Sequence, residues 1–178
     1  MPGHSGRWNL LTKNNFGHST LTVNNMMHLA EARATLIRAD RRKSNPEVTF
    51  DLTSLFGKNI KQANRTFSRT GKDNLRIRDE VVFSPQTNTL TWQMMTQAEV
   101  KVKKNQIVLN QDGQELYLHI VSEEPFEVNV IKLSPPPLPY DKDIPELQRI
   151  EITWKRKSFE GDSGQVVVDL STNATQGK

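Results

Sequence analysis

Apolar and polar residues alternate with period two along nearly the whole chain, the pattern of strands that bury one face and solvate the other. In Thr89-Leu90-Thr91-Trp92-Gln93-Met94, the side chains of Leu90, Trp92 and Met94 share one face, and Thr91 and Gln93 take the other. Leu116, Leu118 and Ile120 alternate in the same way with Tyr117 and His119, as do Ile150, Ile152 and Trp154 with Glu151, Thr153 and Lys155. Runs of the same kind at 20–24, 33–38, 47–51, 60–69, 74–83, 98–104, 106–110, 125–133 and 164–170 bring the total to roughly a dozen strands, spaced as in an all-β fold. The expected architecture is an antiparallel β-sandwich of the supersandwich type over residues 17–172, with minimal helix. Residues 1–16 read as an irregular lead-in, a truncated edge of the sandwich, and 173–178 as a disordered tail.

Turn chemistry falls between the strands. Thr70-Gly71-Lys72-Asp73, Ser84-Pro85-Gln86-Thr87-Asn88, Asn110-Gln111-Asp112-Gly113 and Gly161-Asp162-Ser163-Gly164 each separate two alternating runs, as hairpin connections would. The proline run Ser134-Pro135-Pro136-Pro137-Leu138-Pro139 cannot enter a ladder and reads as a stiff connection crossing a sheet edge. Helix is hinted at only by Met26–Ala34, rich in helix formers, and by Leu52–Phe56 as one turn capped by Asp51. No repeat of fixed period appears, which disfavours a propeller or solenoid.

With 178 residues, 35% of them hydrophobic, the chain has enough material for one domain with a core. It contains no cysteine, which removes disulfides, thiol nucleophiles and thiolate zinc sites. A net charge of +4 permits a weak attraction to polyanions. The start lacks the ~7–15-residue apolar stretch of a signal peptide, and no run approaches the ~18 apolar residues of a membrane-spanning helix. Met1-Pro2-Gly3-His4-Ser5-Gly6 resembles loop sequence, so a fragment of a longer protein is expected.

Candidate chemistry is sparse. The four histidines, His4, His18, His28 and His119, show no spacing that makes a self-contained metal site. His18 stands apart because Gly17-His18-Ser19-Thr20-Leu21-Thr22-Val23 sets it at the entry to a strand, held by the sheet yet able to reach outward. The acidic pairs Glu123-Glu124, Asp79-Glu80 and Asp141-x-Asp143 carry no acid/base logic. Ser163 lacks the strand-to-helix elbow of a nucleophile. Basic residues at 38–43, Lys58, Lys61, Arg65, Arg69, Lys101, Lys103, Lys104 and 155–157 suit solvated outer faces and blunted edges. They are not interleaved with aromatics into an RNA-binding signature, so no nucleic-acid partner is expected, and no membrane partner either.

The segment Gly17-His18-Ser19-Thr20-Leu21-Thr22-Val23-Asn24 is similar to the "His-Asn-Thr, alternating apolar residues, Asp-Gly" segment of heparinase II/III-like polysaccharide lyases. Asp51-Leu52-Thr53, Arg65, Leu75-x-Ile77-x-Asp79-Glu80-Val81 and Trp92-Gln93-Met94-Met95-Thr96 follow in that family's order, so the resemblance covers roughly residues 17 to 131. Ser19 stands where the family has Asn, and Asn24-Asn25 where it has Asp-Gly.

The resemblance implies a parent protein in which an α/α-toroid carrying catalytic Asn, Tyr and His residues precedes the sandwich. Such enzymes cleave uronic-acid-containing acidic polysaccharides by β-elimination, which needs a neutraliser for the carboxylate, a base and an acid. By the same resemblance the chain is a sandwich portion supporting the substrate cleft, periplasmic or extracellular, and inactive alone, with no catalytic residue of its own. His18 would correspond to a ligand of a structural zinc in the full-length parent, completed there by a preceding His and Asp; His4 is the sole upstream imidazole. The alternative is a non-catalytic module that binds acidic carbohydrate, with Tyr117, His119 and Lys155 as candidate contacts, or a structural β-sandwich.

Overall fold

The computed structural model describes residues 6–41 and 44–173; His4, the basic residues at 42–43 and the tail at 174–178 lie outside the described residues. Twelve strands among these residues form two antiparallel sheets. The four-stranded sheet runs β1 (Leu21–Val23), β6 (Thr89–Thr96), β11 (Gln148–Lys155), β10 (Phe126–Lys132). The eight-stranded sheet runs β2 (Thr35–Asp40), β3 (Glu47–Asp51), β4 (Ile60–Arg69), β5 (Asn74–Phe83), β12 (Ser163–Ser171), β9 (Gln114–Val121), β8 (Gln106–Gln111), β7 (Glu99–Lys103). The all-β sandwich expected from the alternation is the fold observed.

Register explains why the alternating residues form one core. Leu90, Trp92 and Met94 of β6 lie opposite Trp154, Ile152 and Ile150 of β11, and Leu21 and Val23 of β1 extend the same face. From the other sheet come Val81, Val166, Val168, Leu118, Ile120, Ile107 and Leu109. Each fully buried aliphatic side chain contributes roughly 1.5–3 kcal/mol relative to exposure. The Trp154 indole sits inside this layer with its N–H donated to Ser122 Oγ at 2.9 Å.

Three expectations require correction. Thr70–Asp73 and Asn110–Gly113 close hairpins (β4–β5 and β8–β9), but Ser84–Asn88 and Gly161–Gly164 carry the chain from one sheet to the other. The two crossovers meet at a corner, where Arg156 N–H donates to Asn88 O (2.7 Å) and Phe83 N–H to Asp162 O (2.8 Å). Gly164 is needed there, since a Cβ would stand 2.7 Å from the rings of both Phe83 and Phe159.

The proline run does not cross an edge. Residues 133–147 join β10 to its hydrogen-bonded neighbour β11, closed at the base by Leu133 N–H to Leu147 O (2.8 Å) and held by Ser134 Oγ to Asp143 Oδ1 (2.8 Å).

Met26–Ala34 is not helical; it is a loop of turns. Asn24 and Asn25 precede it at φ 57° and 52°, and its backbone is tied to distant partners, with Leu29 N–H on Leu55 O at 3.0 Å. Those tertiary bonds override the local helix propensity. The turn after Asp51 does form, as a 3-10 stretch Thr53–Asn59, with Asp51 Oδ1 accepting from Thr53 N–H at 2.8 Å.

Candidate functional site

β1 is an edge strand of the four-stranded sheet, and the chain on both sides of it folds over that edge. Residues 8–18 lie across the outer face of the sheet, and the loop after Val23 returns along its flank. Between them is a groove of about 640 Å³, within the ~300–1,000 Å³ of small-molecule sites. The segment before β1 lines it with Trp8, Asn9, Lys13, Asn14, His18 and Thr20, the loop after β1 with Met27, His28 and Leu29, and Leu55 also lines it.

A buried polar network shapes this groove. Gln93, on the outer face of β6, is fully buried; its Nε2 donates to the carbonyl oxygens of Asn15 and of His18 (2.7 Å), and its Oε1 accepts from Thr22 Oγ1 (3.1 Å). Asn15, also buried, donates from Nδ2 to Thr22 Oγ1 (3.1 Å) and Met26 O (3.2 Å), while its Oδ1 accepts from His28 N–H (2.8 Å). Both groove histidines are therefore held at the backbone by the same pair of buried amides. Arg149 pins the segment further, donating from Nη1 to Phe16 O at 2.7 Å with its guanidinium 5.4 Å from the Phe16 ring centroid. Gly17 is required here, because a Cβ would collide with the Leu11 carbonyl.

Asn24 fixes the other end. Its Oδ1 accepts from the N–H groups of Asn88 (2.7 Å) and Thr89 (3.2 Å), and its Nδ2 donates to Gln86 O (2.7 Å) and Asn59 Oδ1 (3.2 Å). The positive φ of Asn24 and Asn25 accounts for an Asn-Asn pair at this position, since asparagine tolerates the left-handed region.

Of the two histidines, His18 is exposed and His28 half-buried. The His28 Nε2 lies 2.9 Å from Leu21 O on the free side of β1, and its ring meets Phe56 edge-on at 5.1 Å. A carbonyl only accepts, so Nε2 carries the proton in this contact. Burial pushes the His28 pKa below the usual imidazole value, the charges of Arg65 and His18 act in the same direction, and the bond to Leu21 opposes them. His28 is therefore neutral at pH 7. Its ordering partners are 7, 13 and 28 residues away in sequence, which is why no local motif marked it.

His18 was the expected metal ligand. Among the described residues no group of three or more His, Cys, Asp or Glu side chains is placed to hold a metal ion, so His18 and His28 together do not fit a zinc site. Ser19, beside it, accepts from Met95 N–H at 3.0 Å, tying this segment to β6.

The three candidate carbohydrate contacts are not brought together. Tyr117 and His119 share the outer face of the eight-stranded sheet, where Tyr117 donates to Glu115, a bond that raises the phenol pKa. Lys155 lies on β11 in the other sheet and pairs with Glu127 at 3.3 Å. No described helix is long and apolar enough to cross a membrane.

No protein-family model and no curated protein sequence matches the chain. Solved structures do match in fold. Heparan sulfate lyase HepC from Pedobacter heparinus is similar over 86% of this chain at 14% identity, with a TM-score of 0.66. A structure described as heparinase III is similar over 88% of this chain at 12% identity, with a TM-score of 0.65. In each case the match covers 24% of the larger protein, so the chain spans about a quarter of the length of these structures. At such identities the likeness establishes the shared β-sandwich.

Proposed function

We propose that this chain is the β-sandwich part of a polysaccharide lyase of the heparinase II/III type, forming one wall of a cleft for uronic-acid-containing polysaccharide and not cleaving it alone. The observation that carries the reading is the fold match itself: nearly all of this chain corresponds to a quarter of a heparan sulfate lyase. The groove beside β1 is the part of the sandwich suited to the cleft. On its margin Met27 and Leu29, with Met26 beside them, are each about half exposed (48%, 55% and 51%), an apolar rim for the α/α-toroid that supplies the catalytic Asn, Tyr and His.

Within the sandwich the chemistry is binding and orientation. The described groove residues include amides, a lysine and two imidazoles, but no carboxylate to pair with them in acid/base work. In the full-length parent His18 would be one ligand of a structural zinc, completed by a His and an Asp that precede it, while the described residues by themselves make no such site. A periplasmic or extracellular location follows from the same proposal, because acidic polysaccharides of this class are met outside the cytoplasm.

The test is a pair of measurements on the purified chain with heparan sulfate. No rise in the ultraviolet absorbance of unsaturated uronate is expected, together with salt-sensitive binding that perturbs resonances of Trp8, Lys13 and His28. Release of unsaturated products by the chain alone would overturn the non-catalytic assignment. Binding that perturbs Tyr117 and His119 and leaves the groove untouched would favour a carbohydrate-binding module working through the outer sheet face.

A further inference from the structure

We propose that His28 is a sugar-contacting residue of the groove, with Nδ1 accepting a hydrogen bond from a hydroxyl of the bound glycan; this rests on the cleft reading above. The ring is preorganised. Nε2–H is committed to Leu21 O, the His28 backbone N–H to Asn15 Oδ1, and the ring edge to Phe56. With Nε2 protonated and the ring neutral, the lone pair of the imidazole sits on Nδ1.

Among the described residues nothing donates to that Nδ1. It is also absent from the side-chain atoms that are both buried and unpartnered, which are Asn64 Oδ1, Arg78 Nε and Trp92 Nε1, so it is open to solvent on a residue that lines the groove. A fixed acceptor open to solvent beside a groove recognises a ligand that brings an O–H or N–H. Lys13 supplies the one cation among the groove's described side chains for a carboxylate or sulfate on the same chain. A polyhydroxylated, anionic sugar meets both demands. Because the acceptor is held by an edge-strand carbonyl and not by a flexible side chain, little ordering accompanies binding.

The variant that isolates the claim is His28→Gln. A glutamine amide can place its N–H₂ where Nε2 lies and keep the bond to Leu21 O, but it leaves no acceptor at the Nδ1 position. The probe is a heparan sulfate hexasaccharide, titrated into protein with ¹⁵N-labelled histidine. In the wild type the His28 Nδ1 resonance moves upfield as it accepts a hydrogen bond, while Nε2 stays in place. In His28→Gln affinity falls about fivefold or more, the worth of one hydrogen bond in a desolvated site, with the amide spectrum of the fold preserved. Wild-type binding with an unmoved Nδ1, or His28→Gln binding as tightly as wild type, overturns the role of His28 and leaves the cleft reading standing. No wild-type binding at the groove overturns both. If His28→Gln fails to fold, the Nδ1 response of the wild type decides alone.

Discussion

His28 is half-buried against Phe56, with the positive charge of Arg65 and the imidazole of His18 nearby, so the folded protein disfavours its protonation. An unfolded chain offers the ordinary value of ~6.5. Between ~6.5 and the lower folded value the unfolded state binds more protons, and stability therefore rises with pH in that window. The contribution is complete above ~6.5 and is lost as pH falls through the folded value. Urea midpoints measured from about pH 7 to about pH 5 are expected to decline. His28→Gln, which cannot titrate, flattens part of that decline, and an unchanged slope in the variant would assign it to other groups. Gln93 gives a second residue-scale expectation. This buried amide donates to Asn15 O and His18 O and accepts from Thr22 Oγ1, and Gln93→Leu removes all three bonds beneath the 8–18 segment. A loss of ~2–4 kcal/mol in denaturant unfolding is expected, with faster proteolysis near residues 10–18. A variant as stable as the wild type would show that water replaces the amide at no cost.

Among the elements, β4 and β5 carry an ion pair where the core should be apolar. Arg65 and Asp79 face each other across the ladder on the same side as Ala63 and Val81, fully bidentate at 2.7 and 2.8 Å, with side chains 6% and 0% exposed. Removing one partner leaves a buried charge alone, so Asp79→Ala is expected to cost ~3–5 kcal/mol, whereas Arg65→Met with Asp79→Leu costs far less. Equal losses in the single and double variants, read from chemical denaturation, would contradict the pair as the cause. The strands themselves were legible in the alternation, because period two and burial of one face are the same fact for β6, β9 and β11. What the alternation does not encode is which sheet a strand joins. Ser84–Asn88 and Thr70–Asp73 both carry turn-forming residues, yet one switches sheets and the other closes a hairpin, since the decision lies in contacts such as Phe83 with Phe159 (5.2 Å) and Arg156 over Phe83 (4.2 Å). The site divides the same way. His18 was visible from its strand-entry context, but His28, Asn15 and Gln93 become a site only through bonds spanning up to 78 residues.

At the scale of the molecule, a four-stranded sheet faces an eight-stranded one, so the smaller layer cannot cover the larger. The consequence falls on β2 and β3. Val48 and Phe50 are in register with Phe67 and Arg65, and Leu36 with Phe50, so these residues continue the inner face beyond the reach of β1. They surround an apolar hollow with Phe67 and Leu75, where Leu36 remains 55% and Leu75 37% exposed. The edge itself is blunted: the register slips between Leu36 and Arg38, and Arg38 reaches Asp40 (3.7 Å) and Glu47 (3.6 Å) across the outer face. A bulge and a charged cluster are devices that discourage strand addition. Asp40, Arg41, Glu47 and Arg69 also border the hollow but leave Leu36 and Leu75 exposed, and an apolar patch of this kind favours binding of hydrophobic dyes and non-specific association. Leu36→Lys places a charge in the hollow at a site where little apolar burial is lost. It is expected to lower dye fluorescence and concentration-dependent light scattering while moving the unfolding midpoint by no more than the ~0.5 kcal/mol typical of surface substitutions. A drop of several kcal/mol would mean that Leu36 is packed in solution, and unchanged dye binding would move the sticky surface elsewhere, with the Met26–Leu29 rim as the next region to substitute.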